Sequence, residues 1–163
     1  MPFDLEDIML RIVAIEKEGL HDLPNPVDSD AVPFYFHTQE GLPYWVNRLG
    51  TFAFVDQYGE ELNNPTFEIT ARLVIGHRTS GYKGELDTVL QRYVPHMIRF
   101  FNARELLQSS EYPDAPDNVI SCRVTGGIAF GVFRHASDGT TEQIGAEFTL
   151  RLEYIEENEQ AFL

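Results

Sequence analysis

Residues 67–101, FEITARLVIGHRTSGYKGELDTVLQRYVPHMIRFF, read as a strand, a loop and a helix in succession. Phe67, Ile69, Ala71, Leu73 and Ile75 alternate with Glu68, Thr70 and Arg72, the period of a strand with one buried and one wet face. After the glycine-containing loop at 76–84, Val89, Leu90, Tyr93, Val94, Met97, Phe100 and Phe101 recur at helical spacing and form a broad apolar arc. Glu85, Arg92, His96 and Arg99 fall on a separate stripe, roughly 100° round from the centre of that arc. Pro95 lies inside the pattern and predicts a kink or the start of a second helix.

On the N-terminal side, Asp4 is placed to cap a helix. Glu6 and Asp7 supply first-turn charge, and Leu5, Ile8, Ile12 and Ile15 form its apolar stripe. Gly19 is the expected stop. Exposed loops are expected near 20–32 and 56–65, with strands at Val32–Phe36, Pro43–Val46 and Thr51–Val55 between them. On the C-terminal side, the prolines of 111–118 mark a further loop. Val119–Val124 and Ile128–Arg134 alternate around Gly126-Gly127, which suggests a bulge. Ser137–Thr140 reads as a hairpin turn, and Ile144–Tyr154 as a long strand with one face buried. The expected class is α+β. One domain over 1–163 is expected, a mainly antiparallel twisted sheet with the N-terminal and central helices packed on one face.

The chain has 163 residues, and 26 acids against 12 bases give a net charge of −14. That balance argues against affinity built on neutralising nucleic-acid phosphates or docking on anionic lipid. A single cysteine, Cys122, excludes an internal disulfide framework and a Cys-rich zinc site, and reads as a buried structural thiol. The acidic N-terminus leads into no apolar signal region, and no run of about 18 apolar residues occurs, so a soluble intracellular protein is expected.

Catalytic patterns are lacking. His21, His37, His77, His96 and His135 are scattered, without a pair at ligand spacing, and no Gly-x-Ser-x-Gly elbow occurs. The 76–84 loop carries three glycines, Arg78 and Lys83 before a helix, features that favour anions. A Walker A loop, however, needs Ser or Thr after its lysine, where this chain has Gly84. A flexible connection is the better reading of it. The expectation is a protein that is not an enzyme and uses no cofactor or metal.

Charge and aromatics are more informative. Between Arg72 and Arg104 stand six bases and two acids, a local +4; the remainder holds six bases and 24 acids, or −18. Such a basic segment in an acidic chain is a candidate docking surface, while Arg99 and Arg104 also suit the C-terminal end of the helix dipole. Phe34, Tyr35, Phe36, Tyr44, Trp45, Phe52 and Phe54 crowd the first third; most are expected in the core, with Tyr and Trp as possible interface anchors.

With these elements in order, the chain resembles a tail terminator, or tail completion, protein of long-tailed bacteriophages. The resemblance is carried by Ile69–Ser109, ITARLVIGHRTSGYKGELDTVLQRYVPHMIRFFNARELLQS, by the closing strand IGAEFTLRLEY (144–154), and by the N-terminal helix. It covers nearly the whole chain as a pattern, with extra length at 20–45 and 56–65. It implies a structural virion protein of the tail or neck, assembled in the host cytoplasm. Its subunits would form a ring, usually a hexamer, that caps the tail tube and ends its polymerisation. The ring would offer a joining surface to the head-completion or connector protein, and DNA would pass through it without specific binding. Candidate interface residues are Trp45, Arg78, Lys83, Arg92, His96 and Arg99, with the basic 72–104 segment meeting the acidic surface of the next subunit. The acidic remainder would line the lumen. Two other readings stay open: another neck component, such as a head–tail connector or head-completion protein, and a small-ligand-binding or hydrolytic α+β domain.

Overall fold

Alternation in the central strand is realised as burial. In the computed structural model, which describes residues 4–21, 44–56, 58–77, 83–134 and 142–155, Phe67, Ile69, Ala71, Leu73 and Ile75 all lie in the core. They belong to β2 (Glu61–His77), which is preceded by β1 (Tyr44–Val55) and helix α1 (Leu5–His21). Helix α2 (Lys83–Asn102) follows, and then β3 (Val119–Arg134) and β4 (Glu142–Tyr154). The four strands form one antiparallel sheet in the order β1-β2-β4-β3, so the fold is α+β.

Both helices seal the face that carries the alternating apolar residues. Ile8, Ile12 and Ile15 of α1 and Tyr93, Val94, Met97, Phe100 and Phe101 of α2 share one core with Phe148, Leu150 and Leu152 of β4. The Asp4 carboxylate accepts hydrogen bonds from the backbone N–H groups of Glu6 (3.0 Å) and Asp7 (3.3 Å), which caps α1 as its sequence predicts. Gly19, the expected stop, instead lies inside α1. A Cβ there would sit 2.5 Å from Cε of Met97, so the glycine permits close approach of the two helices. Pro95 neither ends nor divides α2, which runs on past it to Asn102, and Pro95 and Gln91 are both exposed.

Two strand expectations change. Pro43–Val46 and Thr51–Val55 are parts of a single strand, because β1 stays paired with β2 across a register irregularity between Leu49 and Phe52. Residues 61–65, expected in a loop, extend β2. Pairing of Val55 with Glu61 outweighs their polar composition and leaves only a tight turn at 56–60. In that turn the Asp56 carboxylate accepts from the N–H groups of Tyr58 and Glu60, and Gly59 takes φ +84°. Gly126-Gly127 coincide with a register irregularity in β3, as expected. The 111–118 segment joins α2 to β3 through turns and bends. In the 76–84 stretch, Gly76 and His77 end β2 and Lys83 and Gly84 begin α2. The Val32–Phe36 strand, the Ser137–Thr140 turn and most of the 20–32 loop lie outside the described residues.

Gly145 is required by close packing of β4 on β2. A Cβ on it would lie 1.8 Å from the carbonyl oxygen of Leu73, inside the backbone of β2. Cys122 is buried, as expected, and desolvation pushes its thiol up to about 12. Its backbone N–H donates to the carbonyl of Glu105 (2.7 Å), tying β3 to the turn that leaves α2.

Candidate interaction surface

The two faces of the sheet separate the charges that are neighbours in sequence. Arg72 alternates out of the core face, away from the helices, and donates to Glu147 (3.0 and 3.1 Å) and Gln143 (2.8 Å) of β4. Its guanidinium also lies 4.5 Å from the centre of the Phe133 ring. Arg104 stacks on the Phe100 ring at 3.4 Å and donates to the Phe100 carbonyl, an end-of-helix role that suits a cation. The 72–104 segment is therefore not one basic surface: Arg72 is ion-paired on the outer face, while α2 packs on the inner one.

The expected interface residues are dispersed in the same way. Trp45 is half-buried against the core, edge-on to Phe101 at 5.6 Å and 5.7 Å from Phe148. His96 is half-buried on α2, its ring 5.9 Å from that of Phe100. Arg99 is exposed in the last turn of α2. Lys83 and Arg92 belong to α2, and Arg78 lies outside the described residues.

Beneath β1 is a buried polar pair that the sequence reading passes over. Glu16, 1% exposed, accepts a 2.6 Å hydrogen bond from the Asn47 side-chain amide. Among the described residues, the second Glu16 oxygen and Asn47 Oδ1 have no partner. Burial raises the Glu16 carboxyl to about 8, against a smaller lowering by the Asn47 bond. The signal was present: Glu16 continues the row of Ile8 and Ile12 at four-residue spacing.

Exposed apolar side chains gather on the outer strands of the described sheet. β1 and the turn after it present Val46, Leu49, Phe52, Phe54, Val55 and Tyr58, the last 82% exposed. β3 presents Ile120 and Phe130, the latter 56% exposed. The β1–β2 hairpin also runs past its neighbour, since β4 begins to pair with β2 only at Thr66. Between this overhang and the end of β4 is a notch of about 310 Å³ of mixed lining, with Phe54, Leu62 and Ile155 beside Glu61, Asn63 and Asn64. Phe52 anchors the overhang, its ring 4.7 Å from Phe54 and 5.4 Å from buried Phe67. Alternation in TFAFV marks Phe52 and Phe54 as a pair on one face. Nothing in it marks the strand as an outer one.

Among the described residues no helix is long and apolar enough to cross a membrane, and no group of three or more His, Cys, Asp or Glu is placed to hold a metal ion. Comparison with known proteins finds no matching family model, no matching curated protein and no matching solved structure.

Proposed function

We propose that this chain is a ring-forming structural subunit of a bacteriophage tail, of the tail-terminator kind. The ring caps the tail tube, stops its growth and presents a joining surface to the head side. The observation that carries this reading is the exposed apolar surface on both outer strands of the described sheet, Leu49 to Val55 on β1 and Ile120 and Phe130 on β3. Because the two strands differ in sequence, contact between the β1 side of one copy and the β3 side of the next is head-to-tail. A head-to-tail contact repeats until it closes, and closure at a fixed rotation gives a ring of fixed number. Length control then needs no chemistry, only a cap whose far surface does not accept another layer of tube protein.

Light scattering with negative-stain imaging tests the assembly, with a six-fold ring expected and a concentration-independent monomer, in solution and on tail tubes, as the refuting result. Binding of the purified protein to isolated tail tubes rather than to portal-bearing heads separates a terminator from other neck components.

A further inference from the structure

We propose that Glu16 and Asn47 form a proton-operated clasp between helix α1 and the outer strand β1. One proton, bound to Oε2 of Glu16 and donated to Oδ1 of Asn47, closes a two-bond pair. Ionisation breaks that pair and frees the Tyr44–Leu49 part of the strand. The clasp is a property of the single subunit and does not depend on ring formation.

Asn47 stands opposite Ala71 in the strand register, so its side chain is on the core face of the sheet. Its amide N–H donates to Glu16 Oε1 at 2.6 Å. Each group is then left with one buried atom that has no partner, Oε2 of the carboxyl and Oδ1 of the amide. Both are acceptors, so a carboxylate and an amide cannot satisfy each other there. Protonation turns Oε2 into an O–H donor, and an acid then matches an amide at both ends. Orphaned buried acceptors are costly and a buried carboxylate more so, which gives the proton its hold.

The attachment of β1 makes this pair a fastening. Among the described residues β1 pairs with β2 on one side and has no strand on the other. On its core face Trp45 reaches Phe101 of α2 at 5.6 Å and Asn47 reaches Glu16 of α1, while Leu49, next on that face, is half exposed. Register is continuous from Tyr44 to Leu49 and breaks before Phe52, so the clasped stretch is a separate unit of pairing. Lifting it hydrates Glu16 without disturbing β2, β4 and β3, at less cost than unfolding the chain.

The surroundings leave the carboxyl to control the clasp. Beside Asn47 the core face of β2 offers Ile69, Ala71 and Leu73, and α2 meets α1 at Gly19 with Met97 and Phe100. Arg48 of β1 and Glu68 and Arg72 of β2 alternate to the other face. On α1, Lys17 is exposed, Glu18 accepts from Ser110 and Arg11 pairs with Asp7; His96 of α2 lies against the Phe100 ring. Among the described residues no charged group bonds to Glu16, and burial, opposed by the Asn47 bond, keeps its proton on to about 8. Opened to water, the carboxyl returns to its ordinary 4.5. The clasp is therefore fully present below 4.5 and is lost as pH rises through about 8.

Hydrogen exchange on the full chain, followed by mass spectrometry at one protein concentration, tests the clasp at pH 5, 6, 7, 8 and 9. Glu16→Gln measured at the same pH values cancels the chemical exchange rate. Opening of Tyr44–Leu49 in the wild type relative to that variant should rise ~10-fold per pH unit between about 5 and 8 and then level off. Peptides from Val119–Val124, on the other outer strand, should keep a constant ratio, because their fraying does not uncover Glu16. Infrared spectra read the proton itself. At pH 6 the band of a protonated carboxyl should be present in the wild type, absent from Glu16→Gln and displaced in Asn47→Ala. A ratio for Tyr44–Leu49 that is independent of pH overturns the proposal, and so does one that Val119–Val124 follows equally, since the opening is then global. A carboxyl band that is missing at pH 6, or that Asn47→Ala leaves unmoved, also overturns it. None of these outcomes bears on ring formation, which is read from assembly.

Discussion

Replacing Glu16 by glutamine should make the protein more stable, and by an amount that depends on pH. The carboxyl is 1% exposed, and burial holds it at about 8 in the folded chain against 4.5 for the free side chain. Its folded pKa is raised, so the stability contributed by its neutral form is fully present below the unfolded value and is lost as pH rises through 8. Linkage at about 1.4 kcal/mol per pKa unit gives a loss of about 2 to 3 kcal/mol between pH 5 and 7, and about 4 kcal/mol by pH 9. Glutamine cannot ionise. Its carbonyl still accepts from the Asn47 amide, and its own amide is free to donate to Asn47 Oδ1, which has no partner among the described residues. Urea unfolding of both proteins at pH 5, 7 and 9, at one protein concentration, isolates this group because other carboxylates cancel in the difference. Near-equal stability is expected at pH 5, with Glu16→Gln ahead by an increasing margin at 7 and 9. A difference that does not change with pH, or a variant that is less stable at pH 9, refutes the buried acid.

Other consequences are simpler. Gly145→Ala places a methyl inside the backbone of β2, and a loss of about 3 kcal/mol or more, or failure to fold, is expected in thermal unfolding. Gly19→Ala meets the flexible end of Met97 and, at 3.2 Å, the edge of the Phe100 ring, all side-chain atoms, and the better helix propensity of alanine, about 1 kcal/mol, offsets part of the cost. That variant should therefore stay folded with a shift of about 1 kcal/mol or less, and a loss as large as that at Gly145 would refute the distinction. Asp4→Ala removes the α1 cap and should cost about 1 kcal/mol, read from the urea midpoint. Cys122 should resist thiol reagents in the native chain and react only as urea unfolds it; rapid native reaction would contradict its burial.

Local regularities were legible because neighbours in sequence are enough to produce them. Asp4 needs only the next three residues to act as a cap, and the alternation from Phe67 to Ile75 reports a wet and a dry face directly. Positions whose meaning comes from a distant partner were not. Gly19 looks like a helix stop until Met97 is seen against it, and Glu16 looks like a surface acid until the sheet closes over it. Arg72 looks like part of a basic run with α2, yet strand alternation carries it to the opposite side of the sheet. For the interface residues, Trp45 was visible as an aromatic, but its place against Phe101 and Phe148 depends on how α2 crosses the sheet.

Composition and periodicity by themselves determined the α+β class, the apolar arc of α2, the buried thiol and the half-wet central strand. These follow from the short-range rule that apolar area must leave water with the period of its backbone. Only the tertiary structure decided that β1 and β3 are the outer strands, that the hairpin runs past β4, and that Phe52, Phe54 and Tyr58 remain in solvent. Hydrophobicity pulls every such side chain inward alike; which of them stay outside depends on where strand pairing stops, and pairing is settled between residues far apart in the chain.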